Sequence, residues 1–488
     1  MKKENNYPVP EARLDPELNR APSDLRHVHL MGICGTGMAS LAGLLKQKGV
    51  LVTGSDQNVY PPMSLFLENL SIPIREGYRP ENLAPSPDLV IVGNVVTRVN
   101  PEAVELARLR IPYLSMPQAL RAFAMKDQLS IVISGTHGKT TTSALISWIL
   151  EKAGLDPGFM VGGLLNNFSR NFKHGDGPYF VIEGDEYDTA FFDKGPKFLH
   201  YSPWVVILTS LEFDHADIYR DFEHVLTSFR KLIALIPEDG LLIANGDDPA
   251  VVAETKGAKC PKVFYGFSDG LTWRAVDVAF EEKGARVDIL RGGEKILAAE
   301  TPLYGRHNLS NLLSAVVLAD FLKIDTRVLS DALKGFKGVK RRQEVKGEKG
   351  GILVLDDFAH HPTAVRETIR AVKEKFRARR LVALFEPRSN SSRRNIFQEA
   401  YATAFDLADL IMIPEPPMME KIPLPERFSS KRLVQDLKNR GLEALYAPDT
   451  DRLLDEVLRN CRKGDVVLIM SNGAFDNLPV RLLERLGE

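Results

Sequence analysis

The segment SIVISGTHGKTTT at residues 130–142 constrains the fold more than any other part of this chain. A short apolar run enters a glycine-rich turn and then a helical pattern, the order of strand, turn and helix in phosphate-binding loops. Glycines let backbone N–H groups face phosphate oxygens, and the helix N-terminus adds a positive dipole end. The turn is shorter than the G-x-x-x-x-G-K-[ST] pattern, because Ile133 stands where its first glycine would fall. We expect a nucleoside-triphosphate site here rather than ordinary loop chemistry.

Two side chains of this turn have chemistry suited to a bound triphosphate. Lys139 is expected to neutralise the β- and γ-phosphates, and the Thr140 hydroxyl to hold Mg²⁺. The residues expected to surround ATP in this loop are Gly135, Thr136, His137, Gly138, Lys139, Thr140 and Thr141.

Length and charge exclude several classes of protein. A chain of 488 residues exceeds what one hydrophobic core usually supports, so two or three domains are expected. Its 63 basic and 64 acidic residues argue against nucleic acid or an anionic membrane as the main partner. Three cysteines without metal-site spacing suit a reducing compartment, and no apolar run is long enough to span a membrane. We therefore expect a cytoplasmic enzyme with small-molecule substrates, acting as a monomer or weak homo-oligomer.

Strands and helices alternate along the chain, which predicts an α/β fold of parallel sheets covered by helices on both faces. A loose polar extension is expected at residues 1–23, followed by a Rossmann-like domain at 24–124. The phosphate-binding turn belongs to a central P-loop ATPase-like domain at 125–339, in which residues 272–303 look like an antiparallel insert. A second Rossmann-like domain is expected at 340–488.

A first glycine turn contains Gly32, Gly35 and Gly37, and Asp56 follows about twenty residues later at the end of the next strand. This spacing is typical of a site for a dinucleotide or another diphosphate. G-x-x-G-x-G differs from the dinucleotide register, so a UDP-linked substrate is at least as well supported. Close packing of helix on strand would also explain the glycines.

Acidic and histidine side chains follow two apolar strands of the central block. Glu183 opens EGDEYD and His215 lies in EFDHADIY. Ligands of open parallel sheets bind at the carboxyl ends of their strands, so we expect these residues to bind metal or phosphate. A structural role is the alternative for a lone histidine.

Two further polar patterns lie near the third block. Asn308 and Asn311 are spaced to share a helix face and can bind the adenine edge, although an N-cap would explain one of them. Arg341 and Arg342 can clamp a phosphate or form a solvated face. DDFAHHPTA at 356–364 is too polar for a core and predicts a functional segment.

In this order, GICGTGM, GTHGKTTT, EGDEYD, EFDHADIY, GRHNLSNLLSA, RRQE and DDFAHHPTA resemble the motifs of the Mur ligase family, ATP-dependent amide-forming enzymes of peptidoglycan synthesis. The resemblance runs from about His27 to the end of the chain. Narrower segments resemble the members that add the tripeptide L-Ala-γ-D-Glu-meso-diaminopimelate to UDP-N-acetylmuramate, more than those that add L-alanine. These segments are NVYPPMS (58–64), AFFDKGPKF (190–198), DDFAHHPTA, EPRSN (386–390) and MSNGAF (470–475).

The resemblance implies roles for individual residues. Asn308 and Asn311 would contact adenine, Arg342 the γ-phosphate and Asp357 the ribose. Metal ligands would be Thr140, Glu183 and His215, and catalytic residues Lys139, Glu183, His215 and Arg342. Contacts to the UDP-linked donor would come from Gly35, Thr36, Gly37, Met38, Ser55, Asp56 and Asn94. The family's carbamylated lysine is not assigned, because TSFRKL at 227–232 has Phe229 or Arg230 near its expected position.

The implied reaction transfers the γ-phosphoryl group of ATP to the donor carboxylate, after which the peptide amine attacks the acyl phosphate. The acceptor peptide is expected on the third domain, at Arg388, Ser389, Asn390, Ser471 and Asn472, where cations and hydrogen-bonding groups follow two strands. Two alternatives stay open: an L-alanine ligase of the same family and, more remotely, a nicotinamide-dependent oxidoreductase.

Overall fold

Three α/β units follow one another in the computed structural model, which describes residues 10–61, 63–281 and 283–487. Each unit contains one mainly parallel sheet with helices packed on it. The start of the expected extension, residues 1–9, and Pro62 of NVYPPMS lie outside the described residues.

The first unit is a five-stranded parallel sheet with strand order β3-β2-β1-β4-β5. Its elements are β1 (His27–Met31), α1 (Thr36–Gln47), β2 (Leu51–Asp56), α2 (Met63–Asn69), β3 (Ile74–Glu76), β4 (Leu89–Val92), α3 (Pro101–Leu109), β5 (Tyr113–Ser115) and α4 (Met116–Phe123). All four residues of β4 are buried, as expected for a strand covered on both faces.

Residues 10–23 pack against this first unit, so the expected loose extension is wrong for this part of the chain. The Ala12 N–H donates to the Arg98 carbonyl at 2.7 Å, and the Asn19 amide donates to the Tyr113 carbonyl at 3.0 Å. Asp15 caps a 3₁₀ turn at Pro16–Leu18 and pairs with Arg110. These residues form specific hydrogen bonds and an ion pair that the polar composition of the segment does not predict.

The central unit is a ten-stranded sheet with order β17-β16-β15-β14-β13-β12-β6-β9-β7-β8. Its elements are β6 (Leu129–Ser134), α5 (Lys139–Lys152), β7 (Gly158–Leu165), β8 (Arg170–Lys173), β9 (Tyr179–Gly184), β10 (Asp188–Ala190), β11 (Asp193–Pro196), β12 (Pro203–Leu208), α6 (Phe222–Ala234), β13 (Leu241–Asn245), α7 (Pro249–Glu254), β14 (Lys262–Gly266), β15 (Trp273–Glu281), β16 (Gly284–Arg291), β17 (Glu294–Thr301), α8 (Arg306–Phe321) and α9 (Thr326–Lys334). The antiparallel segment expected at 272–303 is confirmed as β15 to β17, which extend the parallel sheet through β14. β10 and β11 form a separate two-stranded ribbon.

The third unit is a six-stranded sheet with order β18-β19-β23-β20-β21-β22, parallel except at its β18 edge. Its elements are β18 (Glu344–Lys349), β19 (Ile352–Asp357), α10 (Pro362–Lys375), β20 (Leu381–Phe385), α11 (Gln398–Tyr401), β21 (Leu410–Pro414), α12 (Ser430–Asn439), β22 (Ala444–Ala447), α13 (Thr450–Asn460), β23 (Val466–Met470) and α14 (Leu478–Arg485). No helix of the described ranges is long and apolar enough to cross a bilayer.

One buried apolar cluster joins the first unit to the central sheet, with Val28 and Leu41 on one side and Val132 and Phe172 on the other. Gly43 of α1 permits this contact, since a Cβ there would lie 2.3 Å from the Phe172 ring. The proposed boundaries near residues 124 and 339 fall between secondary-structure elements, although the core itself continues across the first of them.

Candidate active site

The phosphate-binding turn joins the end of β6 to the start of α5, as its sequence predicts. Gly135 has φ +125° and Gly138 has φ +83°; a Cβ would lie 2.3 Å from Thr209 Oγ1 at the former and from Asn311 Oδ1 at the latter. Both positions therefore require glycine. Within the described residues no side chain caps α5 at Gly138, which leaves its first-turn N–H groups facing an anion-binding position.

Lys139, Glu186 and His215 form a buried chain of charges beside this turn. Lys139 Nζ lies 2.6 Å from the Gly135 carbonyl and 3.3 Å from Glu186 Oε2, while Glu186 Oε1 lies 3.0 Å from His215 Nε2. Burial alone would lower the pKa of Lys139, but nearby carboxylates, Glu186 foremost, raise it above its usual value. Burial likewise opposes the charge on His215, yet the bond to Glu186 raises the pKa of the imidazole. Two cations are thus kept charged where phosphates are expected.

Glu186 lies in the middle of this row of three charged side chains. Its sequence context did not assign it a role of its own. It lies three residues beyond Glu183, in the loop after β9, and only 4% of its side chain is exposed. Glu186 lies two residues past the end of β9. The spacing of residues in the sequence does not show that this acid pairs with Lys139.

A second group joins Thr140, Glu183 and Arg342. Thr140 Oγ1 lies 3.0 Å from Glu183 Oε2, and Arg342 Nη2 donates to Thr140 Oγ1 at 3.3 Å. The Gly162 N–H donates to the other carboxylate oxygen at 2.5 Å. Burial, with help from Asp185, raises the pKa of Glu183 despite these partners. A buried carboxylate beside a hydroxyl supplies the hard oxygen ligands that Mg²⁺ takes, and a cation would balance its charge. The donor set therefore fits Mg²⁺.

His215 is connected through Glu186 to Lys139, rather than to this second group. Its backbone φ is +56°, and its ring packs on Tyr187 at 4.1 Å between centroids. Of the three predicted metal ligands, the structure brings Thr140 and Glu183 into direct contact, whereas His215 bonds to Glu186.

Asn308 and Asn311 lie inside α8 and are buried against the linker and the phosphate-binding turn. Asn308 donates to the Tyr304 carbonyl at 3.0 Å and to Gln343 at 3.1 Å, and Asn311 donates to Asn308 at 3.4 Å. The alternative that one asparagine is an N-cap is wrong, because Gly305 occupies that position. Contact of either residue with adenine stays a prediction.

Asp357 closes the strand β19 beside the linker. Its carboxylate accepts from the Gln343 and Ala359 N–H groups, each at 2.8 Å. Burial raises the pKa of this carboxyl, and Arg342 opposes the rise. In this arrangement Asp357 fixes the course of the linker that carries Arg342, and its proposed bond to ribose stays a prediction.

A cavity of about 350 Å³ separates the first glycine turn from the central sheet. Thr36, Gly37 and Asn94 line it on one side, with Glu183 and Asp185 opposite. Lys197, from the AFFDKGPKF segment, also lines it and donates to Asp185 at 3.2 Å. Its volume is in the range of small-molecule sites.

Three residues predicted to contact the UDP-linked donor serve the interior of the first unit. Ser55 is buried and its hydroxyl donates to the buried Glu102 at 2.7 Å, while Met38 packs in the apolar core. Asp56 accepts from the Cys34 N–H at 2.9 Å and from the Asn58 N–H at 3.0 Å, so it shapes the glycine turn. Contact of Ser55 and Met38 with the donor stays a prediction, and their side chains are already engaged within the first unit. Gly35 is the N-cap of α1 beside the cavity.

The predicted peptide residues gather at the carboxyl ends of the adjacent strands β20 and β23. Ser471 donates to Glu386 at 2.5 Å, and Arg388 donates to the same carboxylate at 3.3 Å. Asn472 Oδ1 is buried and has no partner within the described chain. Ser389 bonds to Ser392 inside its own turn, and Asn390 donates to Asp217 of the central unit at 2.8 Å, so these two side chains are already engaged.

The third unit lies closed against the central unit around this site. Ser391 donates to Asp214 at 2.7 Å, and His361 Nε2 lies 3.2 Å from the Phe213 carbonyl. Burial opposes the charge on Asp214, yet His215 and the two histidines of the third unit lower the pKa of its carboxyl. Residues 227–232, where the family's carbamylated lysine was not assigned, lie away from this region: Phe229 is in the core, and Arg230 pairs with Glu223 and Glu254.

Comparison with known proteins agrees with the resemblance found in the sequence. Models of the "Mur ligase family, catalytic domain", the "Mur ligase middle domain" and the "Mur ligase, glutamate ligase domain" match residues 27–128, 133–319 and 341–473.

Relatives match the chain over nearly its whole length. UDP-N-acetylmuramate–L-alanyl-γ-D-glutamyl-meso-2,6-diaminoheptandioate ligase of Haemophilus influenzae is 38% identical, with 95% of this chain and 99% of the relative covered. UDP-N-acetylmuramate–L-alanine ligase of Acetivibrio thermocellus is 32% identical, with coverage of 93% and 94%. The crystal structure of a murein peptide ligase from Psychrobacter arcticus has a TM-score of 0.71 and 34% identity, and 95% and 99% of the two chains are covered. This chain belongs to the Mur ligase family.

Proposed function

We propose that this protein joins L-Ala-γ-D-Glu-meso-diaminopimelate to UDP-N-acetylmuramate with consumption of ATP. The observation that carries the proposal is the cavity in which the first glycine turn, at Thr36 and Gly37, faces Glu183. Glu183 in turn contacts Thr140 of the phosphate-binding turn at 3.0 Å. A donor held at the glycine turn therefore presents its carboxylate to the γ-phosphate of ATP. The identity of 38% to a tripeptide ligase against 32% to an L-alanine ligase supports the tripeptide as acceptor.

ATP would be held by the turn from Gly135 to Thr141, and Mg²⁺ by Thr140 and Glu183, with His215 nearby. When bound, Mg²⁺ neutralises phosphate charge. Lys139 and Arg342 supply fixed positive charge at the same place. Both are only partly exposed and already bonded, so they need little reorganisation during the reaction.

The reaction has two steps. The donor carboxylate attacks the γ-phosphorus and ADP leaves; the peptide amine then attacks the acyl carbon and inorganic phosphate leaves. Closure of the third unit on the central unit keeps water from the acyl phosphate. The amine must lose a proton, and Asp185, which lines the cavity, is better placed to accept it than His215, which is held by Glu186. In this proposal the enzyme works in the cytoplasm as a monomer or weak homo-oligomer.

The acceptor is tested by supplying ATP, Mg²⁺ and UDP-N-acetylmuramate with the tripeptide in one reaction and L-alanine in another. The expected result is a UDP-muramoyl-tripeptide, detected by mass spectrometry, with one phosphate released per product. Product with L-alanine alone would instead place the enzyme with the L-alanine ligases. The nicotinamide-dependent oxidoreductase considered from the first glycine turn is not retained, since the chain is a Mur ligase.

The acceptor site is tested at Arg388, whose guanidinium lies at the β20 end beside Ser471 and Asn472. Arg388→Ala is expected to raise the KM for tripeptide about tenfold or more, because a charge-assisted bond to a peptide carboxylate is lost. The KM for ATP should not change. Arg366→Ala, on the exposed face of α10, is the control. An unchanged tripeptide KM in Arg388→Ala would refute the assignment.

A further inference from the structure

Three side chains with metal-binding groups converge where the third unit meets the phosphate-binding turn. They are His137 in that turn, Glu212 after β12 and His361 immediately before α10. One ligand atom from each lies within 4.8 Å of the other two. They belong to three separate elements of two units, so the tertiary structure alone brings them together.

Their separations are close to those of ligands around one ion. His137 Nε2 lies 3.1 Å and His361 Nδ1 lies 3.3 Å from Glu212 Oε2. Tetrahedral ligands bound to Zn²⁺ at roughly 2.0–2.2 Å are about 3.3–3.6 Å apart. Two of the three separations are therefore near the required value, and the third, between the two histidine nitrogens, is at most 4.8 Å.

Hydrogen bonds fix the proton on the His361 ring. Nε2 lies 3.2 Å from the Phe213 carbonyl, which can only accept, so Nε2 carries the proton. Nδ1 accepts from the Thr363 N–H at 3.3 Å, so it is unprotonated and carries a lone pair. Nδ1 and Glu212 Oε2 thus face each other at 3.3 Å as two acceptors. A cation between them would remove this repulsion, at the expense of the long bond from Thr363.

The second ring nitrogen of His361 strengthens this argument. A metal-binding histidine commonly donates its other N–H to a carboxylate or backbone carbonyl, which fixes the ring and the tautomer. His361 already has this arrangement through Phe213.

We propose that His137, Glu212 and His361 bind a first-row transition-metal ion such as Zn²⁺. Two imidazoles and one carboxylate suit that class of ion, with a fourth position left for water, whereas Mg²⁺ prefers oxygen ligands. The site is separate from the oxygen ligands Thr140 and Glu183. Since His361 belongs to the third unit and His137 to the phosphate-binding turn, a bound ion holds the third unit closed on that turn.

Co²⁺ is the probe, because its tetrahedral complexes absorb in the visible. The full-length protein, freed of metal by a chelator, is titrated with Co²⁺ in the presence of excess Mg²⁺. We expect one Co²⁺ per chain, with visible bands that Zn²⁺ removes and Mg²⁺ does not. Absence of saturable bands would overturn the proposal.

Conservative variants test which of these side chains bind the ion. His361→Asn keeps an N-cap for α10, and Glu212→Gln keeps an acceptor for His137. Each should weaken Co²⁺ binding at least about tenfold, since loss even of an outer partner of a metal ligand costs 10–100-fold. His360→Asn, at the neighbouring position facing Asp214, is the control and should bind as the unaltered protein does. Unchanged affinity in both ligand variants, or loss of the bands in Glu183→Gln alone, would contradict the site.

Discussion

Arg342 lies in the linker between the central and third units, yet its guanidinium reaches Thr140 of the phosphate-binding turn. It also packs over Phe358 at 4.9 Å, and burial lowers its pKa while Asp357 opposes the decrease. A planar fork held in this way can bond two phosphate oxygens, which a lysine ammonium cannot do in the same geometry.

Arg342→Lys is therefore expected to lower kcat about 100-fold, the loss typical for one donor that acts on the developing charge. The KM for UDP-N-acetylmuramate should change little, since we propose that this donor binds in the cavity lined by Thr36 and Gly37, on the other side of Glu183. Steady-state kinetics with Lys340→Arg as control provide the check, because Lys340 is exposed two residues away. A kcat equal to that of the control would exclude this role.

His307, at the start of α8, affects the pH dependence of stability. Burial lowers its pKa from 6.5 to about 4, and its Nδ1 has no hydrogen-bond partner in the described ranges. Between these two pKa values the unfolded chain binds a proton that the folded chain does not, so stability decreases as pH falls.

His307→Gln removes this contribution. The difference in Tm between about pH 7.5 and about pH 5 should become smaller in the variant than in the unaltered protein. It should not disappear, because burial also lowers the pKa values of His360 and His361. Thermal denaturation at both pH values is the measurement, and the exposed His224→Gln is the control. An equal Tm difference in both variants would contradict the interpretation.

At the scale of elements, α5 offers a matched pair of glycines, one at each end. Gly138 has φ +83° and a Cβ there would lie 2.3 Å from Asn311 Oδ1, while Gly154 has φ +71° with open space around it. The left-handed conformation alone costs an alanine about 1–2 kcal/mol.

Gly154→Ala should therefore lower the free energy of unfolding by about 1–2 kcal/mol and leave nucleotide affinity unchanged. Gly138→Ala adds a steric conflict with a buried asparagine, so the turn must move. Its free energy of unfolding should fall further, and its affinity for ATP should fall at least about tenfold because the first-turn N–H groups move. Urea denaturation and calorimetric titration with ATP test both; equal ATP affinity in the two variants would refute the prediction.

At the scale of the whole molecule, the third unit contacts the central unit through polar bonds and through an apolar cluster that includes Tyr304. Ser391 is 3% exposed and donates to Asp214 at 2.7 Å across this interface. Its neighbour Ser392 is also buried, but its bonds to Ser389 lie within the third unit. A substitution of Ser391 therefore tests the contact between the two units, whereas a substitution of Ser392 tests only contacts within the third unit.

Ser391→Ala removes one donor to the buried Asp214 carboxylate, which keeps its bond from the His215 N–H. Loss of a hydrogen bond to a charged group costs roughly 1.5–3 kcal/mol, here in the closed arrangement alone. We expect a larger radius of gyration by small-angle X-ray scattering and a higher KM for the tripeptide. Ser392→Ala should match the unaltered protein in both measurements. The same radius for the two variants would show that Ser391 does not stabilise closure.

The order of elements, the parallel sheets, the antiparallel segment at 272–303 and the phosphate-binding turn were all predicted from sequence. These features follow from local patterns: apolar strands, turn glycines and helix starts that lie next to one another in the chain. Family motifs also indicated the substrates and the chemistry that we propose. Thr140 and Glu183 lie close together because the turn that carries Thr140 follows β6 and Glu183 lies at the end of the adjacent parallel strand β9, and parallel strands end at the same edge of the sheet. Their role as metal ligands stays a prediction.

Tertiary structure decided the direction of side chains and the contacts between units. Ser55 of β2 turns into the first unit, where Glu102, far away in sequence, binds its hydroxyl. Met38 lies on the buried face of α1 and packs in the apolar core. Residues 10–23 dock on the first unit through bonds to Arg98 and Tyr113, which polar composition does not predict. Glu186 becomes the partner of both Lys139 and His215, and His137, Glu212 and His361 meet across two units, only when the chain is folded. Local sequence determines which elements form, whereas distances between residues far apart in the chain depend on how those elements pack.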